Sequence, residues 1–183
     1  MPIRGEGWEM HIVRRSEQTR ASDGKRRTVG SYQIYHDGVA QTGAAMRGMV
    51  AETRGPGANA PAGNNRRIEA KRYPLATQDG TNYKTWGYSE SEGENARPKP
   101  GIEVASTGQR SEILIHPGNG FLRSVGCINL CTSLPNAREM IDYVPSRKRV
   151  IAVIEDMKSF IARFPASNGR PIPGAFLVID GEP

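Results

Sequence analysis

Apolar and polar positions alternate with a period of two through much of the first half of the chain, the spacing at which one face of a strand is buried and the other is not. Trp8 to Val13 follows this pattern imperfectly, and Ser22-Asp23-Gly24 is a turn signal. Thr28 to Tyr35 predicts a second strand, His36-Asp37-Gly38 a tight hairpin turn leading to Val39, and Ala45 to Glu52 a third strand, so the first quarter reads as an antiparallel meander. Residues 54–65 are too poor in apolar side chains to pack and predict a loop. One strand is expected within Arg67–Leu75 and another over Asn82–Tyr88. From Ser89 to Gly108 the chain is polar again and carries Pro98 and Pro100, which predicts a long loop, either disordered or, being just upstream of His116, a lid over the site. Tyr83, Trp86 and Tyr88 either line a cleft under that lid or pack in the core, and core packing is the expectation.

In the second half an apolar run, Ile113 to Ile115, ends in His116, passes through a Gly/Asn turn, and returns through Ser124-Val125-Gly126-Cys127 into Ile128-Asn129-Leu130. That predicts strand, loop, strand, folded back so that the end of the first lies beside the start of the second. Thr132-Ser133-Leu134-Pro135 is a helix-start signal for a short helix through Tyr143. A longer helix is expected from near Ser146, where Val150, Val153, Ile154, Met157, Ile161 and Phe164 share one face until Pro165 ends it. Gly174 to Ile179, apolar on both faces, predicts an interior strand. The fold class that follows is β-rich (α+β): antiparallel sheets in a sandwich or partial barrel, with two helices in the C-terminal third, as one domain over residues 1–183.

Composition narrows the picture. At 183 residues the chain can bury one core unaided, and 21 glycines with 13 prolines favour short strands and turns over long helices. No stretch approaches a membrane span, and Met1 to Gly7 lacks the apolar centre of a signal peptide, so no general export signal is expected. Two cysteines do not make a disulfide framework. The net charge of +6 suits a polyanionic partner. Its basic clusters, Lys25-Arg26-Arg27 and Arg147-Lys148-Arg149 among them, are not interleaved with aromatics, so they read as solvated surface and no nucleic-acid partner is expected.

The chemistry gathers at His116 and Cys127. A thiol is a weak nucleophile until a base or a lowered pKa produces the thiolate, so a reactive Cys needs a His close in space and is expected to be a low-pKa, partly exposed group. Gly126 leaves the backbone free to turn its N–H groups toward a developing oxyanion. The plainer interpretation is a core histidine and an inert buried thiol, but core strands do not need the glycines that flank both residues here. His11 and His36 fall in a strand and a turn and are read as structural. His116, Cys127 and Cys131 would supply three zinc ligands without the fourth that a structural site requires, so neither metal nor other cofactor is expected, and Cys131 reads as a small buried hydrophobe.

Ile115-His116-Pro117-Gly118 followed by Ser124-Val125-Gly126-Cys127-Ile128-Asn129-Leu130 resembles the catalytic signature of the L,D-transpeptidases, cysteine enzymes that remodel peptidoglycan crosslinks. Val125 stands where that family usually has a second His, Asn129 where it usually has Arg, and the His-to-Cys loop is shorter. The shortened form is closer to a small related domain family of phages and bacterial effectors. The resemblance implies a fold of the L,D-transpeptidase type, with Cys127 as nucleophile, His116 as base and the Pro117 carbonyl orienting the imidazole. It implies acyl transfer through a Cys thioester on peptidoglycan stem peptides, as an L,D-carboxypeptidase or L,D-transpeptidase. An antibacterial effector or phage protein of this kind would act in the periplasm or cell wall after specialised delivery, with an immunity protein or a secretion apparatus as further partners. Arg123 and Asn119 lie between base and nucleophile; Arg123 is either an anchor for substrate carboxylates or plain exposed surface, and Ser124 bonds either the loop backbone or the substrate. The competing function is a non-catalytic wall-binding or assembly module on the same fold.

Overall fold

A computed structural model describes residues 2–183. The strands are β1 (Trp8–Thr19), β2 (Arg26–His36), β3 (Val39–Ala40), β4 (Arg47–Thr53), β5 (Arg72–Thr77), β6 (Tyr83–Lys84), β7 (Lys99–Pro100), β8 (Ile102–Val104), β9 (Leu114–Pro117), β10 (Ile128–Cys131) and β11 (Pro171–Asp180), with one helix, α1 (Tyr143–Phe160), before the last. The main sheet runs β1-β11-β5-β8-β9-β10-β4-β2, and β2 pairs back onto β1, closing an eight-stranded barrel with β3 appended to β2. Closure leaves neither β1 nor β2 as an open edge. The β1–β11 and β9–β10 pairs are parallel and the other pairs of the wall antiparallel.

The expected meander is present as β1, β2 and β4, and the Asp37-Gly38 turn between β2 and β3 has positive φ at both positions, as a two-residue hairpin requires. The period-two alternation puts Trp8, Met10 and Ile12 of β1 into the core with Tyr32 and Ile34 of β2. β11 is interior as expected, between β1 and β5.

Three expectations are corrected. The β-rich architecture is a closed barrel, not a sandwich. The predicted loop from Ser89 to Gly108 contains β7 and β8, and β8 is part of the wall; three residues beside two prolines are too few to display a period. The C-terminal third holds one helix, not two. Over 133–142 there is an irregular, largely exposed segment anchored by Leu134 and Ile141, which pack against Val29, Phe121 and Cys131. Its carbonyls are drawn elsewhere: the buried Arg27 guanidinium takes those of Asn136 and Glu139, and Ile141 exchanges both backbone bonds with Gly120. Tertiary partners for these groups override the local helix signal.

α1 begins three residues earlier than the pattern indicates, with Pro145 in its first turn, where a missing N–H costs nothing. It closes one end of the barrel. Asp156 accepts Trp8 Nε1–H at 2.7 Å and bonds His36 Nε2 at 2.8 Å, joining the start of β1 to the end of β2. Arg149 donates to Tyr32 Oη at 2.9 Å and to the Arg47 carbonyl at 2.7 Å. Ser146, expected near the helix start, accepts the Gly118 N–H at 2.8 Å and donates to the Leu130 carbonyl at 2.5 Å, stapling the ends of β9 and β10 to the helix. No helix among the described residues is long and apolar enough to cross a membrane.

A buried charge network closes the other end. Arg14 grips Glu52 through two bonds of 2.8 Å, with both side chains fully buried, and Glu182 accepts from Arg14 at 2.8 Å and from Arg67 at 2.7 Å. Removing one member of such a pair strands its partner without solvent, whereas replacing both by apolar groups does not. Arg14 keeps Glu182 as a partner if Glu52 is lost, whereas Glu52 pairs with Arg14 alone among the described side chains, so Arg14→Met should lower the unfolding free energy by about 3–5 kcal/mol in urea titrations, and the double replacement Arg14→Met/Glu52→Leu by much less. Equal losses in the two proteins would contradict this description of the barrel end.

Candidate active site

The parallel register of β9 and β10 sets the geometry. Ile128 pairs with Ile115, Asn129 with His116 and Leu130 with Pro117. Ile115, Ile128 and Leu130 belong to the main core, so His116 and Asn129, alternating with them, share the outer face of the wall. Cys127, one residue before β10, falls opposite Leu114, whose N–H reaches Sγ at 3.4 Å. Thiol and imidazole thus lie on neighbouring strands, on one face, a pleat apart. The sequence suggested a fold-back that sets the end of one strand against the start of the next; the parallel pairing instead gives His116 Asn129 as its neighbour. Cys127 and His116 line one cleft of about 520 Å³. No hydrogen bond joins them in this state, and Sγ–H points to the Glu112 carbonyl at 3.5 Å.

His116 is held in one tautomer. Its Nδ1 is 2.9 Å from the Pro117 carbonyl, which can only accept, so Nδ1 carries the proton and Nε2 the lone pair. Asn129 Nδ2 donates to the His116 carbonyl at 3.3 Å, and the Tyr83 ring lies 4.5 Å from the imidazole. Gly118 makes room for this packing, because a Cβ there would come within 2.8 Å of the Asn129 Cβ. Burial pushes the imidazole pKa down to about 4, and the positive charges of Lys99 and Arg123 push in the same direction. His116 is therefore neutral at neutral pH, with its basic nitrogen available.

The thiol differs from expectation. Cys127 is half-buried, and burial raises its pKa above the usual thiol value, against the smaller lowering effects of the Leu114 N–H, Ser124 and Arg110. At rest the pair is thiol and neutral imidazole, not thiolate and imidazolium. Gly126 also plays a different part. Its φ of 131° is one that side chains disfavour, and a Cβ would overlap the Arg110 guanidinium that runs beneath the loop. Arg110 donates to the carbonyls of Arg66 at 2.6 Å and Val125 at 3.0 Å. The Gly126 N–H is taken by Ser124 Oγ at 3.0 Å, and Ser124 donates to the Cys127 carbonyl at 2.8 Å. Ser124 thus bonds the loop backbone, and Gly126 lets the loop that carries Cys127 sit on Arg110, with its own N–H taken by Ser124 rather than free for an oxyanion.

Arg123 is exposed, lines the cleft, and makes no hydrogen bond or ion pair among the described residues. Asn119 donates to the Glu94 carboxylate, tying the Ser89–Pro98 segment onto the loop between His116 and Cys127. Arg147 grips the same segment from α1 through the Ser89 carbonyl at 2.6 Å. The Ser89–Pro98 segment is thus docked on α1 and on the loop that follows β9. Of the three aromatics, Tyr83 stands at the site, Trp86 packs edge-on against Phe164 at 5.9 Å, and Tyr88 packs against the core.

Lys99, Arg110 and Glu112 also stand near the pair, without a signal in the sequence to mark them. Lys99 lies between two prolines in a polar stretch and Arg110 beside a Gly-Gln turn, so both read as solvated; only the fold buries them. Cys131 bonds the Met49 carbonyl at 3.3 Å, and burial pushes its pKa up to about 12. Among the described residues, no group of three or more His, Cys, Asp or Glu is placed to hold a metal ion. No protein-family profile matches the chain, and neither a functionally described protein nor a solved structure matches it.

A thiol whose pKa is raised by burial is alkylated through a small thiolate fraction that grows about tenfold per pH unit below that pKa. The iodoacetamide rate at Cys127 should therefore climb steadily from pH 6 to beyond pH 9. A plateau reached below pH 7 would show a resting thiolate and contradict this assignment.

Proposed function

We propose that the protein is a cysteine acyl-transfer enzyme acting on peptidoglycan stem peptides. The observation that carries this reading is a neutral, carbonyl-oriented imidazole with its Nε2 lone pair unprotonated, in the same cleft as a thiol on the adjoining strand. Since the resting thiol is protonated, the base must act during attack: Sγ bonds to the amide carbonyl carbon as His116 Nε2 takes the thiol proton. Collapse of the tetrahedral adduct breaks the C–N bond, and the same proton passes from Nε2 to the departing amine, leaving a thioester on Cys127. Water then completes an L,D-carboxypeptidase cycle, or an amine an exchange. With a pKa near 4, the imidazole keeps its basic form through the mildly acidic range. The cationic cleft edge, where Arg123 is unpaired, suits a substrate with free carboxylates. The resemblance to the L,D-transpeptidases at His116-Pro117-Gly118 and Ser124 to Cys127 gives the substrate class, and with it a site of action at the cell wall.

A non-catalytic wall-binding module is the second reading, favoured by one observation: Sγ is bonded to the Glu112 carbonyl rather than to the imidazole. One experiment separates the two. Purified muropeptides incubated with the protein and resolved by mass spectrometry should lose a terminal D-Ala or exchange it for an added D-amino acid. Cys127→Ala and His116→Ala should each lower that rate by at least about a thousandfold. Unaltered muropeptides with the parent protein, or full activity in Cys127→Ala, would sink the enzymatic reading and leave the binding module.

A further inference from the structure

Acyl transfer needs a donor for the carbonyl oxygen that turns negative as Sγ attacks, and the Gly126 N–H is already committed to Ser124. Cys127 also opens onto a second cleft. This smaller space, about 240 Å³, is lined by Gln78, Gly80, Tyr83, Leu114, Glu112 and Cys127, and it shares the last two with the cleft that holds His116. Gln78 is the one buried polar side chain on its lining: it is 7% exposed, and its side-chain amide has no hydrogen bond among the described residues. A buried amide is normally bonded, because leaving its N–H groups without a partner forfeits their hydration. The Gln78 backbone, by contrast, is fully engaged. Its N–H donates to Thr85 Oγ1 at 2.8 Å, its carbonyl accepts the Thr85 N–H at 3.1 Å, and Thr85 Oγ1 donates in turn to the Gly101 carbonyl at 2.7 Å. The free amide therefore hangs from a fixed base. Gly80 leaves it room, since a Cβ there would stand 2.7 Å from Gln78 Nε2. Exposed Glu112 is the only charged side chain on this lining, so no cation competes with the amide for a developing negative charge.

We propose that the Gln78 side-chain amide is the oxyanion donor of this site. The acyl group bridges the two clefts: its carbonyl carbon bonds to Sγ, the thiol proton passes to His116 Nε2 in the larger cleft, and the oxygen, taking the electron pair of the C=O π bond, turns into the smaller one toward Gln78 Nε2–H. A donor that is uncommitted at rest has no bond to break when the charge appears, which is what stabilisation of a transition state requires. The missing partner of Gln78 is thus one that exists only during the reaction. This inference rests on the acyl-transfer reading for its chemistry but not on peptidoglycan as the substrate.

Two reagents for Cys127 separate an oxyanion donor from a residue that merely shapes the thiol. Acylation by p-nitrophenyl acetate passes through a tetrahedral oxyanion: the S–C bond forms, the bond to p-nitrophenolate breaks, and the thiol proton leaves through His116. Alkylation by iodoacetamide displaces iodide at a saturated carbon and builds no oxyanion. Gln78→Met, which keeps the side-chain length, should lower the acylation rate by about 100- to 1,000-fold and leave alkylation within about twofold. Gly80→Ala, whose added methyl displaces the amide, should slow acylation in the same direction without slowing alkylation, and decides the matter if Gln78→Met fails to fold. Equal losses in the two reactions, or acylation untouched by both substitutions, would overturn the donor alone, since the parent's acylation still stands. A parent protein that is alkylated but never acylated at Cys127 would overturn the acyl-transfer reading and the donor with it. Selective loss of acylation in a protein that leaves muropeptides unaltered would support the donor and overturn peptidoglycan as the substrate.

Discussion

The parallel pairing of β9 with β10 is the constraint on which the rest depends. Because Asn129 rather than Cys127 stands across from His116, the imidazole is buried against an amide and a carbonyl, and the thiol sits one pleat back in the same cleft. A parallel pair needs a connection that crosses back to the start of the next strand. Here it is the short segment from Gly118 to Cys127, which runs over Arg110 and is tied by Ser124. Ser146 fixes the far ends of the two strands to α1, so the helix that closes the barrel also sets the height of the histidine.

Burial supplies the electrostatics that follow from this placement. It lowers the imidazole pKa and raises that of the thiol, so both groups rest uncharged. The unpaired cations nearby add to the first effect. Removing positive charge at Lys99 or Arg123 thus makes His116 more basic. The buried Arg14–Glu52 pair at the opposite barrel end is a separate matter of closure and has no part in the chemistry.

Much of the wall was legible in the sequence because alternation is local. β1, β2, β4 and β11 fall where the pattern puts them, and the hairpin at Asp37-Gly38 follows from backbone freedom at two adjacent positions. His116 and Cys127 were legible because glycines beside candidate core residues are out of place in a plain strand. What escaped is non-local. Nothing in the order Leu134-Pro135-Asn136 announces that Arg27 will take the carbonyls a helix would need. Asn129 reads as a departure from a motif until the register places it against the imidazole, and Lys99 reads as solvated until β7 is laid over β9. Strand direction escaped as well, since a Gly-rich loop of this length is compatible with either sense.

The central claim is that Cys127 carries the acyl group as a thioester. Intact-protein mass spectrometry after brief mixing with a stem tetrapeptide, quenched in acid, addresses it directly. The predicted result is an adduct equal to the peptide less its departing amine, mapped to the Cys127 peptide, released by hydroxylamine, and absent in His116→Ala. Turnover without any adduct at Cys127, in a protein whose rate is unchanged by Cys127→Ala, would contradict it.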